Sequence, residues 1–309
     1  MESKGIGEGE KVQNRFNISR ALLTAEDLFQ PGGLSCQGCG AALSMKLALK
    51  ALGKRTIVVI PACCWTIIVG SYPYTTLKVP VIHVPFETAA VVASGIRAAL
   101  DIRGEQDIVV MAWAGDGGTF DIGLQALSGA AERNDDILYV CYDNEAYMNT
   151  GIQRSSATPM GAWTTTTPEG ALKEEPKKDM EGIMLAHGIP YVATASVAFP
   201  DDLINKFQKA RYIKGTKFIH LLSPCPPGWR IEPSKSIQIA RMATQCHLFP
   251  IYEVENGRYR ITVRPDTTIS VEKYIKAQGR FSRIDKDTIK KIQEHTELRW
   301  QRLLDLTRS

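Results

Sequence analysis

A doubly wound α/β fold built on a mostly parallel sheet is the architecture this sequence predicts. Three observations carry it. Short, continuous apolar runs alternate along the chain with longer stretches that place small and apolar residues at helical spacing. The runs lead into turns rich in glycine, asparagine or proline, as buried parallel strands do. After residue 230 the pattern changes to a hairpin followed by charged helical segments.

The elements follow in chain order. Residues 1–30 read as an N-terminal arm, with LLTAEDLF its one helical hint. PGGLSCQGCGAAL is a sharp turn that leads into the helix LSMKLALKAL. TIVVIPA is a short buried strand, and ETAAVVASGIRAAL is a helix. DIVVMAWAG is a strand that ends in glycine, LQALSGAAER a helix, and DILYVCYDN a further strand. IPYVATAS and FIHLLSP complete the strands, with the helix DDLINKFQKARYI between them. LFPIYEVENGRYRITVRP reads as a β-hairpin over Glu-Asn-Gly. The expected organisation is an arm over 1–30, a ligand-binding domain over 31–229, and a C-terminal extension for packing or assembly over 230–309. In such a sheet the ligand site lies at the carboxyl ends of the strands.

Composition excludes several classes. The net charge is +4, from 37 Lys and Arg against 33 Asp and Glu. That excess is too small, and too free of basic clusters, to point to nucleic acid or an anionic membrane. The first 15 residues are polar and lack a signal-peptide core. No stretch approaches the roughly 18 apolar residues of a membrane span. A cytoplasmic location is expected. Seven cysteines, an odd count in such a chain, argue against a disulfide framework and for metal ligation or buried thiols.

The sharpest signal is Gly115-Asp116-Gly117-Gly118, between a predicted strand and the next helix, which is expected to start at Thr119. Twenty-six residues separate Gly117 from Asn144, which ends the following strand. This resembles the diphosphate–magnesium motif of thiamine-dependent enzymes. Mg²⁺ takes hard oxygen ligands, usually one or two from protein together with phosphate. Asp116 offers a carboxylate, Asn144 an uncharged amide oxygen, and Ala146 a backbone carbonyl two residues on. Glycines 115, 117 and 118 let backbone approach phosphate closely, and a helix start adds N–H donors. A strand–turn–helix corner with a capping aspartate is the bland alternative, which the spacing and the asparagine disfavour. A nicotinamide turn would need GxGxxG, which is absent.

Cys36 and Cys39 form a Cys-Gln-Gly-Cys turn. A thioredoxin-like pair, a zinc site and a [4Fe–4S] cluster all use such a pair. Zinc would want a second pair or clustered histidines, and the five histidines are scattered. Cys64 in IPACCWT and Cys225 in LSPCPPGWR follow predicted buried strands, on the side where a cofactor belongs.

From about residue 34 to residue 308 the chain resembles the β subunit of pyruvate:ferredoxin oxidoreductase and the related 2-oxoacid:ferredoxin oxidoreductases. The likeness is carried by the segment from WAGDGGTF through NEAYMNTGIQRSSATP, by YPYT, by FE at 86–87, by KAQGRF and by the closing RW..LL. It implies thiamine pyrophosphate held through Mg²⁺ by Asp116, Asn144 and the Ala146 carbonyl. Tyr147 and Met148 would line the same wall, and Asn149 would be the catalytic contact to the reacting carbonyl. It also implies a [4Fe–4S] cluster on Cys36, Cys39, Cys64 and Cys225, the third ligand falling 25 residues after Cys39. Cys63 stands where glycine is usual. Cys141 and Cys246 are expected to be buried thiols, and His83 and Glu87 structural.

The implied reaction is oxidative decarboxylation of a 2-oxoacid, pyruvate first, with coenzyme A as acyl acceptor and ferredoxin as electron acceptor. Oxalate, branched and aryl 2-oxoacids share the architecture. The implied partners are an α subunit carrying the pyrimidine half-site, with γ and ferredoxin-like δ subunits or their equivalents. A non-redox thiamine decarboxylase would need no cysteine quartet, and a pure electron-transfer subunit would need no Asp116–Asn144 pair.

Overall fold

The computed structural model describes residues 25–308. The first residues of LLTAEDLF, and the arm before them, lie outside the described residues. Glu26–Phe29 is not helical, and Phe29 instead bridges Leu77.

Eight strands form one sheet in the order β2-β1-β3-β4-β6-β5-β7-β8 among the described residues. They are β1 Thr56–Pro61, β2 Val81–Val84, β3 Val109–Gly115, β4 Leu138–Asp143, β5 Tyr191–Ser196, β6 Lys217–Leu222, β7 Ile251–Glu255 and β8 Arg258–Val263. Strands β1 to β6 pair in parallel, whereas β7 and β8 add to the β5 edge antiparallel. β4, β5 and β6 are buried along their whole length, which explains why they read as continuous, mostly apolar runs without alternation. The sequence reading has no counterpart for β2. That strand is four half-exposed edge residues between Pro80 and Pro85, too short for a periodic signal. The hairpin turns at Asn256-Gly257, both at positive φ (48° and 78°), the geometry a two-residue hairpin prefers.

Two cores cover the sheet. One face packs helices Gly40–Leu52 and Pro200–Tyr212 against β1, β3, β4, β5 and β6. The other packs Ala89–Ile102, Leu124–Glu132 and Met180–Ala186. A third cluster joins the 222–249 region to helices Val271–Lys276 and Lys286–Leu306. Among the described residues no helix is long and apolar enough to cross a membrane.

The chain runs from β1 outward to β2, then returns past β1 to β3. β1 and β3 therefore flank the point where strand order reverses, and a crevice opens there at their carboxyl ends.

Candidate functional site

The loops after β1, β3, β4 and β6 all open on this end of the sheet. Gly115, Asp116, Gly117 and Gly118 leave β3 and enter a π-helical turn, Gly117–Ile122, ahead of the α-helix Leu124–Glu132. The expected α-helix start at Thr119 thus falls inside the π turn, whose wide bonding is frequent at functional sites. Asn144, Ala146, Tyr147, Met148 and Asn149 leave β4. All nine residues line one cavity, together with Phe86 and Tyr142.

Asp116 is buried, with Ser155 Oγ donating to its Oδ2 at 2.5 Å. Burial, and then repulsion from Asp143, raise its carboxyl well above the ordinary range. Ser155 and the charge of Lys177 only partly offset this. The Asn144 side-chain oxygen faces Ala146 O at 2.8 Å and Asp116 Oδ1 at 3.0 Å. Turned over, the amide would donate to both. With its oxygen inward, three oxygens converge instead. Ligands on adjacent corners of a Mg²⁺ octahedron with bonds of 2.0–2.1 Å are about 2.9 Å apart, so this donor set fits that ion.

Gly117 has no spare room. A β-carbon there would meet the Tyr147 ring at 2.2 Å. Tyr147 is held by its hydroxyl donating to Asp121 Oδ2 at 2.7 Å and by an edge contact with Phe86. Tyr147 N–H and C=O pair with Gln153, closing the loop.

Cys36, Cys39, Cys64 and Cys225 line a second cavity. Burial, then repulsion from Cys225 and its neighbours, pushes the Cys64 thiol up to about 12, and burial pushes Cys225 up similarly. Among the described residues, no three Cys, His, Asp or Glu side chains are gathered closely enough to hold a single ion. One tetrahedral zinc would draw its sulfurs to about 3.8 Å of each other. A cluster takes one thiolate per iron and spreads them more widely. Four soft donors around one cavity fit a cluster better than a lone ion. Cys64, Asn144 and Asn149 line both cavities and so form the wall between them.

Cys63 also borders the first cavity but not the second. It caps the helix Cys64–Ile68: its side chain accepts from the Thr66 N–H while Thr66 Oγ1 accepts from Cys63 N. Cys141 and Cys246 are buried, and His83 and Glu87 are exposed away from both cavities.

Sequence reasoning missed the buried charges behind the loop. Lys177 Nζ contacts Asp143 Oδ2, and His220 bridges Asp143 at 2.6 Å and Glu181 at 2.7 Å. Burial alone would lower the His220 imidazole, but Glu181 and Asp143 overcome it and raise it to about 9. Lys177 and His220 in turn hold Asp143 below the usual carboxylate range despite its burial. No local spacing announces this group, because its bonded pairs are 34 to 77 residues apart.

These features define a thiamine-pyrophosphate-binding domain. The thiamine pyrophosphate enzyme family, C-terminal TPP binding domain, matches residues 63–221. The chain is 51% identical over 297 residues to the ketoisovalerate oxidoreductase subunit VorB of Pyrococcus furiosus, covering 93% of this chain and 96% of the relative. It is 50% identical over 275 residues to the pyruvate synthase subunit PorB of Methanothermobacter marburgensis, covering 88% and 96%. The 2-oxoglutarate:ferredoxin oxidoreductase from Magnetococcus marinus shares the fold, with a TM-score of 0.56 at 23% identity over 70% of this chain and 79% of that one. The chain belongs to the 2-oxoacid:ferredoxin oxidoreductases, as their thiamine-pyrophosphate-binding β subunit.

Proposed function

We propose that this β subunit oxidatively decarboxylates a small aliphatic 2-oxoacid, pyruvate first, with Mg²⁺ and a [4Fe–4S] cluster on either side of one wall. The carrying observation is that wall: Cys64, Asn144 and Asn149 border both the cofactor cavity and the four-cysteine cavity. Thiamine pyrophosphate, when bound, supplies the electron sink for loss of carbon dioxide. The cluster supplies a one-electron acceptor beside it.

The chain's own residues have distinct tasks in this reading. Asp116, Asn144 and the Ala146 carbonyl hold Mg²⁺, which offsets the diphosphate charge. Ser155 keeps Asp116 turned inward. Phe86 and Tyr147 close the cavity against water. Asn149, exposed on the cavity wall, offers an amide donor to the reacting oxygen. Cys36, Cys39, Cys64 and Cys225 take the irons. The other half of the cofactor is held by an α subunit, with γ and ferredoxin-like δ subunits or their equivalents, ferredoxin and coenzyme A completing the reaction. The cofactor cavity is consistent with one half-site.

A second substrate reading, the branched acid 2-oxoisovalerate, is favoured by the near-equal identity to the ketoisovalerate and pyruvate relatives. Turnover of the anaerobically assembled complex across pyruvate, 2-oxoisovalerate, oxalate and an arylpyruvate separates the readings. Pyruvate should give the largest kcat/KM. A tenfold preference for another acid would overturn that choice.

A smaller test addresses the cavity itself. Gly117→Ala puts a methyl into the Tyr147 ring, so the ring must leave its bond to Asp121. Thiamine pyrophosphate affinity of the complex should fall at least tenfold in a binding titration. Unchanged affinity would mean that Tyr147 yields without cost and is not part of the cradle.

A further inference from the structure

The loop that carries Asn144 and Ala146 pivots on Glu145. This residue sits at φ +69°, left-handed backbone that residues with a β-carbon adopt only under strain. It is also 1% exposed, an expensive place for a carboxylate. Both costs are met by partners, those of the carboxylate coming from distant parts of the chain. Arg280 Nη2 donates to Glu145 Oε2 at 2.5 Å and Lys177 Nζ to Oε1 at 3.1 Å. The Glu145 N–H donates to Asp143 Oδ1 at 2.9 Å, and its carbonyl accepts from Thr158 Oγ1 at 2.8 Å.

Arg280 braces the loop by a second route. Its guanidinium lies 4.1 Å over the Trp229 ring, and the Trp229 indole N–H donates to the Asn144 carbonyl at 2.8 Å. Arg280 Nε is itself held by Gln278 Oε1 at 3.0 Å. One buried cation from the C-terminal region therefore fixes both the side chain of Glu145 and the backbone just before it.

We propose that Arg280 and Lys177 are positioning residues: by clamping Glu145 in its left-handed turn, they hold the Asn144 oxygen and the Ala146 carbonyl converged on Asp116 before the cation arrives. This rests on the magnesium reading of Asp116, Asn144 and Ala146. Without the clamp, residue 145 relaxes toward negative φ and swings one of the two oxygens off the shared point. Binding Mg²⁺ must then reorder the loop, so affinity for the ion falls while the fold persists. Lysine at 280 is a poor replacement, because a point ammonium cannot pair with Glu145 and stack on Trp229 at once.

The test uses the assembled complex, stripped of Mg²⁺ with chelator and titrated with Mg²⁺ at fixed thiamine pyrophosphate. The readout is bound thiamine pyrophosphate after gel filtration, not turnover. Arg280→Met should raise the half-saturating Mg²⁺ concentration at least tenfold, with Arg280→Lys in between. Lys206→Met is the control. It breaks another buried ion pair, to Asp202 at 2.6 Å, away from this loop, and should lower Tm without moving the Mg²⁺ midpoint.

A midpoint for Arg280→Met within twofold of wild type, or an equal shift in Lys206→Met, would overturn the clamp alone. Wild-type binding that ignores Mg²⁺ would overturn the magnesium reading, and the clamp with it. If Arg280→Met does not fold, Arg280→Met with Glu145→Gln removes the stranded carboxylate and carries the same expectation.

Discussion

Asp116→Ala should leave the assembled enzyme with no measurable bound thiamine pyrophosphate, a loss in affinity of at least a hundredfold. The diphosphate enters a cavity lined by the buried Asp116, with Asp143 buried behind it, and negative charges brought together without a bridging cation repel strongly. Alanine removes the one carboxylate among the three converging oxygens. The same substitution should raise the Tm of the cofactor-free protein at neutral pH. Burial and Asp143 raise the Asp116 carboxyl above its unfolded value. An acid so raised destabilises the folded state wherever it is ionised in the unfolded chain, that is, above about pH 4. Deleting it removes that penalty. Mg²⁺ must also displace a proton from Asp116, so wild-type affinity for the ion should fall as pH falls. Thiamine content by fluorescence assay and a melting curve read both effects. Normal thiamine content in Asp116→Ala would refute the assignment of the ion.

Cys64→Ser should lose the iron and the visible absorbance band from the anaerobically purified complex, whereas Cys63→Ser should keep its full iron content. The two cysteines are adjacent yet differ in task. Cys64 borders the cavity shared with Cys36, Cys39 and Cys225. Cys63 faces back to cap the helix that begins at Cys64, and serine is among the best capping residues. Its replacement keeps both halves of the capping box with Thr66. Serine at 64 keeps the shape but gives a hard oxygen where iron prefers a soft thiolate. Loss of iron from Cys63→Ser alone would place the third ligand one residue earlier.

Most of the fold was legible because its strands are buried on both faces. A strand such as Leu138–Asp143, fully covered, reads as an apolar run from Leu138 to Tyr142, with the buried Asp143 at its end held by Lys177 and His220. β2 escaped, since four half-exposed residues between prolines carry no period. The π turn at Gly117–Ile122 escaped as well, because π and α starts share the same residues and differ only in which carbonyl each N–H finds. Where the candidate site is concerned, residues at strand ends were legible. Sequence order puts them at strand ends, and the parallel sheet brings those ends to one edge.

The sequence by itself determined the alternation of strands and helices, the Asp116–Asn144 spacing and the identity of four candidate cysteines. The alternation and the spacing depend on chain-local geometry: strand rise, turn chemistry, and the distance between consecutive strand ends; the cysteine set is what the resemblance to the 2-oxoacid:ferredoxin oxidoreductases implies. Only the tertiary structure decided that Cys64, Asn144 and Asn149 form a common wall, and that Glu145 is gripped by Lys177 and Arg280, the latter 135 residues away. An ion pair of that kind leaves no spacing in the chain. Its partners need only arrive at the same point after folding, and burial, which makes the pairing obligatory, is itself a property of the folded whole.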